Sequence, residues 1–160
     1  VLWLRPIRAD DVAAMQRGFA RLTPEQVRLR VFHSMNELSR EAAERLCHID
    51  PASQVAFVAV DADGEIRGDA RFYTARGSTS AEFAIVIDPG LTGMGVGSAL
   101  MRKLLVQARK RQLDEVWGMV LTENTGMLEL ARFLGAERQP VEGEPQFVRV
   151  RFHLGRRRKR

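Results

Sequence analysis

The sequence predicts a single α+β domain built on a mostly antiparallel sheet. Three strand-like segments, residues 54–60, 65–74 and 81–88, follow one another without a helix between them, which indicates a meander. The segments on either side have the apolar spacing of amphipathic helices. At 160 residues and 45% hydrophobic content, the chain is long enough to bury a substantial core.

One strand and three helices are predicted before the meander. "VLWLRPIR" alternates as a strand, and the acids of "ADD" begin a helix from about residue 11 to 19. "TPEQ" combines an N-cap at Thr23, a proline at the first helical position and Gln26 three residues later, so a second helix follows. Ser39 caps a third, short helix that ends before Pro51.

The meander is followed by alternating helices and strands. A glycine-rich stretch opens a helix with one apolar stripe: Leu100, Met101, Leu104, Leu105 and Ala108. "DEVWGMVL" is the next strand, "TGMLELARFL" the next helix with Gly135 as its C-terminal cap, and "QFVRVRFHL" the closing strand. Alternation with polar neighbours predicts three aromatic core residues: Trp3, Trp117 and Phe147.

The positive charge is concentrated at the C-terminus. The chain has 25 Lys and Arg against 20 Asp and Glu, and the five basic residues 156–160 account for the whole excess. A run of like charges is typical of a solvated tail, so the charge argues against nucleic acid as the partner. We therefore divide the chain into a domain, residues 1–154, and a basic tail, residues 155–160.

The composition of the chain also indicates the cellular compartment in which the protein works. No apolar run is long enough to cross a bilayer and no secretory leader opens the chain, so we expect a cytoplasmic protein with no membrane partner. The single cysteine, Cys47, fits a reducing compartment and is interpreted as a small core residue. Because the first residue is Val1, we expect the chain to be cut from something longer. The histidines lack metal-ligand spacing, which predicts no metal site.

The alternate glycines Gly93, Gly95 and Gly97 stand directly before a helix. Unpaired N–H groups and the helix dipole make such a turn an anion site, and a phosphate is the obvious occupant. A P-loop would require Gly-Lys-Ser/Thr at its end, and no lysine occurs before Lys103. A dinucleotide fingerprint would require a glycine where Ser98 stands. Neither motif fits.

A third pattern does fit. Apart from its first residue, "TGMGVG" resembles the Gln/Arg-x-x-Gly-x-Gly/Ala motif of the GNAT superfamily of N-acetyltransferases. "AEFAIVID" corresponds to the cofactor-binding strand of that family, and "NTGMLELARFLGAE" is similar to its following helical motif. The opening segment resembles the catalytic domain of bacterial Pat-type protein lysine acetyltransferases. The resemblance implies a GNAT-type sheet of about six or seven strands, mostly antiparallel and flanked by helices on both faces.

The resemblance also implies the binding residues. Acetyl-CoA would be the co-substrate, without a metal, and its pantetheine arm would lie beside Val86 and Ile87 where two central strands splay apart. Asn124 would contact it from the next helix, although Asn is also a favoured helix cap. Three residues depart from the family pattern: Thr92 replaces Gln/Arg, Ala131 replaces a tyrosine general acid, and Ala136 replaces the usual Phe. The pyrophosphate would lie on six backbone amides: Gly93, Met94, Gly95, Val96, Gly97 and Ser98.

Acetyl transfer to an amine requires a base, because a lysine ammonium has a pKa of about 10.4. Strand alternation places Glu82 on one face with Ala84 and Val86, which leaves room for a substrate. We expect partial burial there to favour its neutral form and suit it to general base catalysis. The Pat-type resemblance implies the catalytic glutamate at this position; the alternative is a solvated strand-end glutamate. Backbone N–H groups near Val86 would hold the developing oxyanion.

The expected function is acetyl transfer from acetyl-CoA to an amine, by direct attack. The resemblance implies a lysine of a protein such as an acyl-CoA synthetase as the acceptor. Two alternatives stay open: a small-molecule amine N-acetyltransferase, and a non-catalytic module that senses acyl-CoA, which the departures at Thr92 and Ala131 would suit. No feature of the sequence predicts an oligomeric state.

Overall fold

The computed structural model describes residues 1–24, 26, 38–93 and 95–155, and its strands form one sheet of seven. The spatial order is β1-β2-β3-β4-β5-β7-β6, and every neighbouring pair is antiparallel except β4 and β5. The prediction of a mostly antiparallel α+β fold is confirmed. The strands are β1 Trp3–Pro6, β2 Gln54–Val60, β3 Ile66–Thr74, β4 Ser80–Ile87, β5 Glu115–Leu121, β6 Glu137–Pro140 and β7 Phe147–His153.

The described helices match the predicted ones. They are α1 Val12–Ala20, α2 Arg40–Cys47, α3 Val96–Lys110 and α4 Thr125–Phe133, with short 3-10 helices at Ala9–Asp11 and Pro89–Leu91. The helix predicted after Thr23 lies mainly outside the described residues, but its capping box is present: Gln26 N–H donates to Thr23 Oγ1 (3.0 Å) and Thr23 N–H donates to Gln26 Oε1 (3.1 Å). Ser39 Oγ caps α2 by accepting from Ala42 N–H at 3.0 Å.

Apolar clusters lie on both faces of the sheet. On one face, the predicted stripe of α3 is fully buried against Phe72 and Phe83, and α4 adds Leu128 and Ala131. On the other face, α1 and α2 pack against Val58 and Val60 of β2, with buried side chains from Met15 and Cys47 among others. Adjacent β2 residues thus belong to different clusters, as strand alternation requires. Helices flank both faces, as predicted.

An ion pair joins the first strand to the first helix. The Arg5 guanidinium donates to both oxygens of the buried Asp11 carboxylate at 2.8 and 2.9 Å, and Arg8 N–H donates to Asp11 Oδ2 at 2.7 Å. Burial tends to raise the pKa of Asp11, but these donors outweigh burial and hold the pKa below its usual value. The turn between β1 and α1 is therefore fixed by directional contacts.

Two parts of the sequence reading need correction. Trp3 is 55% exposed on an edge strand, so its assignment to the core was wrong, and Trp117 and Phe147 are only half-buried. The indole of Trp117 instead packs under the Arg149 guanidinium, 4.5 Å from the ring centroid. The short strand β6 was not predicted, because "ERQP" is mostly exposed and shows no apolar alternation.

None of the helices in the described ranges is long and apolar enough to cross a membrane.

Strands β4 and β5 separate soon after they begin to pair. Their parallel register covers Ser80↔Glu115, Ala81↔Val116 and Glu82↔Trp117, although β4 continues to Ile87 and β5 to Leu121. At the point of separation the ring of Phe83 lies over Gly118, where a Cβ atom would approach Phe83 Cε2 to 2.7 Å. The predicted splaying of these two strands is present.

We predict that Gly118→Ala destabilises the protein by about 1–3 kcal/mol, because the added methyl displaces a buried aromatic ring. The ring also packs against Phe152, with centroids 6.0 Å apart, so its freedom to move is limited. Urea unfolding measures the effect. Gly126→Ala is the matched control: only Asn124 Oδ1 comes within 4.0 Å of its Cβ position, and helix propensity favours Ala there by up to about 1 kcal/mol. Equal stability of the two variants would contradict the packing argument.

Burial raises the pKa of the Cys47 thiol to about 11, and Cys47 is 3% exposed. Because the thiolate is the reactive form, we expect iodoacetamide at pH 8 to alkylate native Cys47 about 100-fold more slowly than the urea-unfolded chain. Mass spectrometry of quenched samples gives both rates. Equal rates in the two states would show that the thiol is accessible.

Candidate active site

The glycine stretch forms a turn from β4 into α3. Gly93 and Gly95 have φ angles of 82° and 83°, a left-handed conformation that glycine adopts without strain. The first intrahelical hydrogen bond joins Ala99 N–H to Gly95 O at 3.0 Å. The N–H groups of Val96, Gly97 and Ser98 therefore have no partner within the helix, and the positive end of the helix dipole lies at the same place. This arrangement can bind an anion.

A cleft of about 610 Å³ runs from this turn between β4 and α4. It brings together seven of the residues predicted to bind the cofactor: Val86, Ile87, Gly93, Gly95, Gly97, Ser98 and Asn124. The Val96 side chain is instead buried in the core, which leaves only its backbone for a ligand. Met94 lies outside the described residues.

The open edge of β4 presents backbone groups to the same cleft. Asp88 N–H donates to Arg67 O of β3 at 2.8 Å, and strand alternation gives Val86 the same orientation. Ile85 and Ile87 therefore direct their N–H and C=O groups toward β5, away from β3. The N–H donors at the gap are those of Ile85 and Ile87, one residue either side of the predicted position.

Asn124 has a clear structural role. Its Oδ1 caps α4 by accepting from Met127 N–H at 3.2 Å, and the residue also lines the cleft. The cap uses only the oxygen of the side-chain amide. Capping and contact with a cofactor are therefore compatible roles for this residue.

Glu82 lies on the α1/α2 face of the sheet, opposite the face that α3 covers, and it lines a second cavity of about 340 Å³ with Tyr73 and Arg71. Its side chain is exposed, so the expected partial burial was wrong. Within the described ranges, its carboxylate has no hydrogen-bond or ion-pair partner, which leaves it available to accept a proton. Phe83 and Ala84 also line this cavity, and Ile85 and Val86 line the cleft beside the glycine turn, so β4 is a wall shared by both.

A buried ion pair lies behind Glu82. Arg71 donates to both Asp69 oxygens, at 2.9 and 2.6 Å, and to Leu46 O of α2 at 2.9 Å. Burial lowers the pKa of Arg71, but the facing carboxylate outweighs burial and the pKa is raised. The guanidinium therefore stays protonated, and the Asp69 carboxylate balances its charge. Its bond to Leu46 O attaches α2 to the sheet next to the cavity.

Sequence reasoning missed two contributors to the site. Gln26, recognised only as a capping residue, also donates from Nε2 to Ile87 O at 2.8 Å and lines the cleft. Asp88 forms ion pairs with Arg21 and Arg67 at the start of the glycine turn. No local pattern signals these long-range contacts. Among the described residues, no group of three or more His, Cys, Asp or Glu is placed to hold a metal.

Comparison with known proteins identifies the family. The model of the acetyltransferase (GNAT) family matches residues 18–136. The chain belongs to this family. It is accordingly an acetyl-CoA-dependent acetyltransferase, as the glycine motif implied.

Two relatives illustrate the similarity. Acetyltransferase PA5475 of Pseudomonas aeruginosa is 30% identical over 135 residues, which are 82% of this chain and 73% of that protein. Acetyltransferase Pat of Mycolicibacterium smegmatis is 32% identical over 136 residues, 84% of this chain and 40% of that protein. This chain thus spans less than half of Pat. Among solved structures, the GNAT domain of S. lividans PAT superposes with a TM-score of 0.86 at 26% identity, covering 94% of this chain and 89% of that one.

The residues of this GNAT domain fit acetyl-CoA. The N–H groups of Val96, Gly97 and Ser98, which have no partner within the helix, suit the pyrophosphate. The edge of β4 at Ile85, which pairs with no strand in the described part of the chain, suits the amide-containing pantetheine arm. When bound, acetyl-CoA supplies an acetyl group activated as a thioester.

We predict that Gly95→Ala weakens calorimetric binding of CoA by about tenfold, because an L-residue at this φ costs about 1–2 kcal/mol and distorts the turn. Gly77→Ala is the control, since Gly77 has a φ of 78° in the loop between β3 and β4. Neither Cβ position has a neighbour within 4 Å. Both variants should lose similar stability, and only Gly95→Ala should lose affinity. Unchanged CoA binding by Gly95→Ala would argue against the turn as the phosphate site.

Proposed function

We propose that this GNAT domain acetylates a lysine side chain of a protein, with Glu82 as general base. The observation that carries the proposal is the position of Glu82. Its carboxylate, which has no partner among the described residues, stands at the last residue of β4 that pairs with β5, three residues before the open edge at Ile85. An amine entering from the side of Glu82 would therefore meet the thioester end of the cofactor at this gap.

Different groups of the chain carry out the separate steps of the reaction. A Glu82 carboxylate oxygen takes a proton from the acceptor ammonium, directly or through one water, which produces the nucleophilic amine. The N–H groups of Ile85 and Ile87 at the open edge serve as donors to the oxygen that becomes negative during attack. Ala131, which stands in place of the tyrosine acid, is 1% exposed within the core. The thiolate leaves without a side-chain acid, since thiols ionise near pH 8.5 or so.

A protein acceptor is favoured by exposure and by similarity. Glu82 is exposed, and Tyr73, its cross-strand neighbour, is 52% exposed. A lysine on a macromolecule can reach such a position, whereas a small amine is better retained by an enclosed pocket. The similarity to Pat and to the S. lividans PAT domain agrees with the Pat-type resemblance, which implies the lysine of an acyl-CoA synthetase.

We predict that Glu82→Gln lowers the rate of acetyl transfer by about 100-fold or more, because general base catalysis contributes that much. Thiol release from acetyl-CoA, with an acyl-CoA synthetase as acceptor, measures the rate, and mass spectrometry identifies the modified lysine. Calorimetric affinity for acetyl-CoA should stay within about twofold, because Glu82 lies outside the cofactor cleft.

Glu142→Gln is the matched control, since Glu142 is an exposed glutamate in the turn before β7. It should behave as wild type. If the wild-type protein acetylates small amines but not the synthetase, the acceptor is a small amine and the proposed protein acceptor is wrong. Cofactor binding without transfer to either class would establish an acyl-CoA sensor.

A further inference from the structure

Asp88, the residue directly after β4, is the centre of a cluster of charges beside the glycine turn. Its Oδ1 accepts from Gly90 N–H at 2.9 Å. Its Oδ2 accepts from Arg21 Nε and from Arg67 Nη1, both at 3.0 Å. The Asp88 side chain is only 10% exposed. Both oxygens of this nearly buried carboxylate are therefore occupied by donors from three different segments.

The two arginines are themselves fixed to the body of the fold. Arg21, at the end of α1, also donates to Glu65 Oε1 at 2.9 Å and to Ile66 O at 2.8 Å. Arg67 of β3 also donates to Asp61 Oδ2 at 2.8 Å. Asp88 is thus tied to α1, to β3 and to the turn between β2 and β3. Planar guanidinium groups held at several points are rigid anchors.

Asp88 acts on the cofactor cleft through the backbone. It does not line the cleft, but Ile87 before it and Leu91 and Thr92 after it do. Its hydrogen bond to Gly90 N–H and the bond from Leu91 N–H to Asp88 O, at 2.9 Å, set the 3-10 helix that leads into the turn. Because the turn contains glycines, which lose much conformational freedom on ordering, a fixed entry lowers the entropic cost of presenting its amides.

We propose that Asp88, held by Arg21 and Arg67, is a positioning residue that pre-orders residues 90–93 and 95–98 of the glycine turn for the pyrophosphate of acetyl-CoA. This inference rests on the assignment of the turn as the cofactor site. The hydrogen bonds from Gly90, Arg67 and Arg21 outweigh burial and hold the pKa of Asp88 below its usual value, so the carboxylate is charged at neutral pH.

If Asp88 acted only through its charge, the variants would change CoA affinity in a different way. The negative charge of Asp88 disfavours a nearby anion, and Arg21 and Arg67 compensate it. If charge alone mattered, Asp88→Asn would strengthen CoA binding and Arg21→Gln would weaken it. If positioning matters, both variants weaken binding. Asp88→Asn is the more informative change, because its amide oxygen still accepts from Gly90 N–H while both ion pairs are lost.

The test is the calorimetric affinity of the whole chain for CoA, compared among wild type, Asp88→Asn, Arg21→Gln and Arg17→Gln. We expect Asp88→Asn and Arg21→Gln to weaken binding by about tenfold, in line with the loss of hydrogen bonds between charged groups. Arg17 is the control: it lies one turn earlier on α1, pairs with Glu65 and is 52% exposed, but does not contact Asp88. Its variant should bind within about twofold of wild type.

Two further readouts separate positioning from general loss of structure. With saturating acetyl-CoA, the turnover number of Asp88→Asn should stay within about twofold of wild type while KM rises. Amide exchange in free Asp88→Asn should accelerate at residues 90–98 and not in the buried part of α3. Arg21→Gln, a change on a partly exposed helix end, tests the same contact if Asp88→Asn does not fold.

Wild-type affinity, or tighter binding, in Asp88→Asn overturns the inference while leaving the proposed function intact. Equal losses in Arg17→Gln and Arg21→Gln also overturn it, because they would show a general effect of the charge cluster. A wild-type chain that does not bind CoA removes the cofactor-site assignment itself, and with it both proposals.

Discussion

The separation of β4 from β5 is the constraint on which the rest of this site depends. Backbone N–H and C=O groups that leave a sheet ladder need other partners. After the pair Glu82↔Trp117, β4 presents its edge at Ile85 and Ile87 to a cleft instead of to a neighbouring strand. Gln26 takes one of these groups, the carbonyl of Ile87. Phe83, packed over Gly118, fills the point of separation and prevents the strands from closing.

Because side chains alternate along β4, its two faces and its backbone edge have different neighbours. Side chains of Ile85 and Ile87 pack against the core that α3 buries, whereas Glu82 and Ala84 line the cavity on the opposite face. The backbone edge lies between them and faces the cofactor cleft. One strand of eight residues thereby holds a carboxylate and a row of backbone donors at a constant separation. The proposed transfer from a thioester to an amine uses this spatial relation.

Ion pairs with defined geometry attach α1 and α2 to the face of the sheet that these helices cover. Arg5 joins Asp11 next to α1, and Arg71 joins Asp69 next to α2. Asp88 joins the end of β4 to Arg21 of the α1 terminus and to β3. Partly buried pairs of this kind add little net stability, because desolvation offsets their attraction. They do fix the direction of each attached segment, including the entry to the glycine turn.

Local features of the sequence were sufficient for most of the elements and for the glycine turn that precedes α3. The stripe from Leu100 to Ala108 is buried as its spacing predicts, and Gly93 and Gly95 adopt the left-handed conformation for which glycine is suited. Asn124 caps the following helix. These outcomes depend on interactions between residues a few positions apart, and such interactions can be read directly from the order of side chains.

The exposure of Trp3 and Glu82, and the ion pairs of Asp88 with Arg21 and Arg67, were decided only by the tertiary structure. Alternation identifies two faces of a strand but not which of them a helix will cover. Partners that are 67 or 21 positions apart meet only after the register of the sheet is set. The sequence by itself therefore determined the family, most of the elements in their order, and the glycine turn before α3. Long-range packing decided burial and the contacts that hold the turn, because both depend on which segments become neighbours in space.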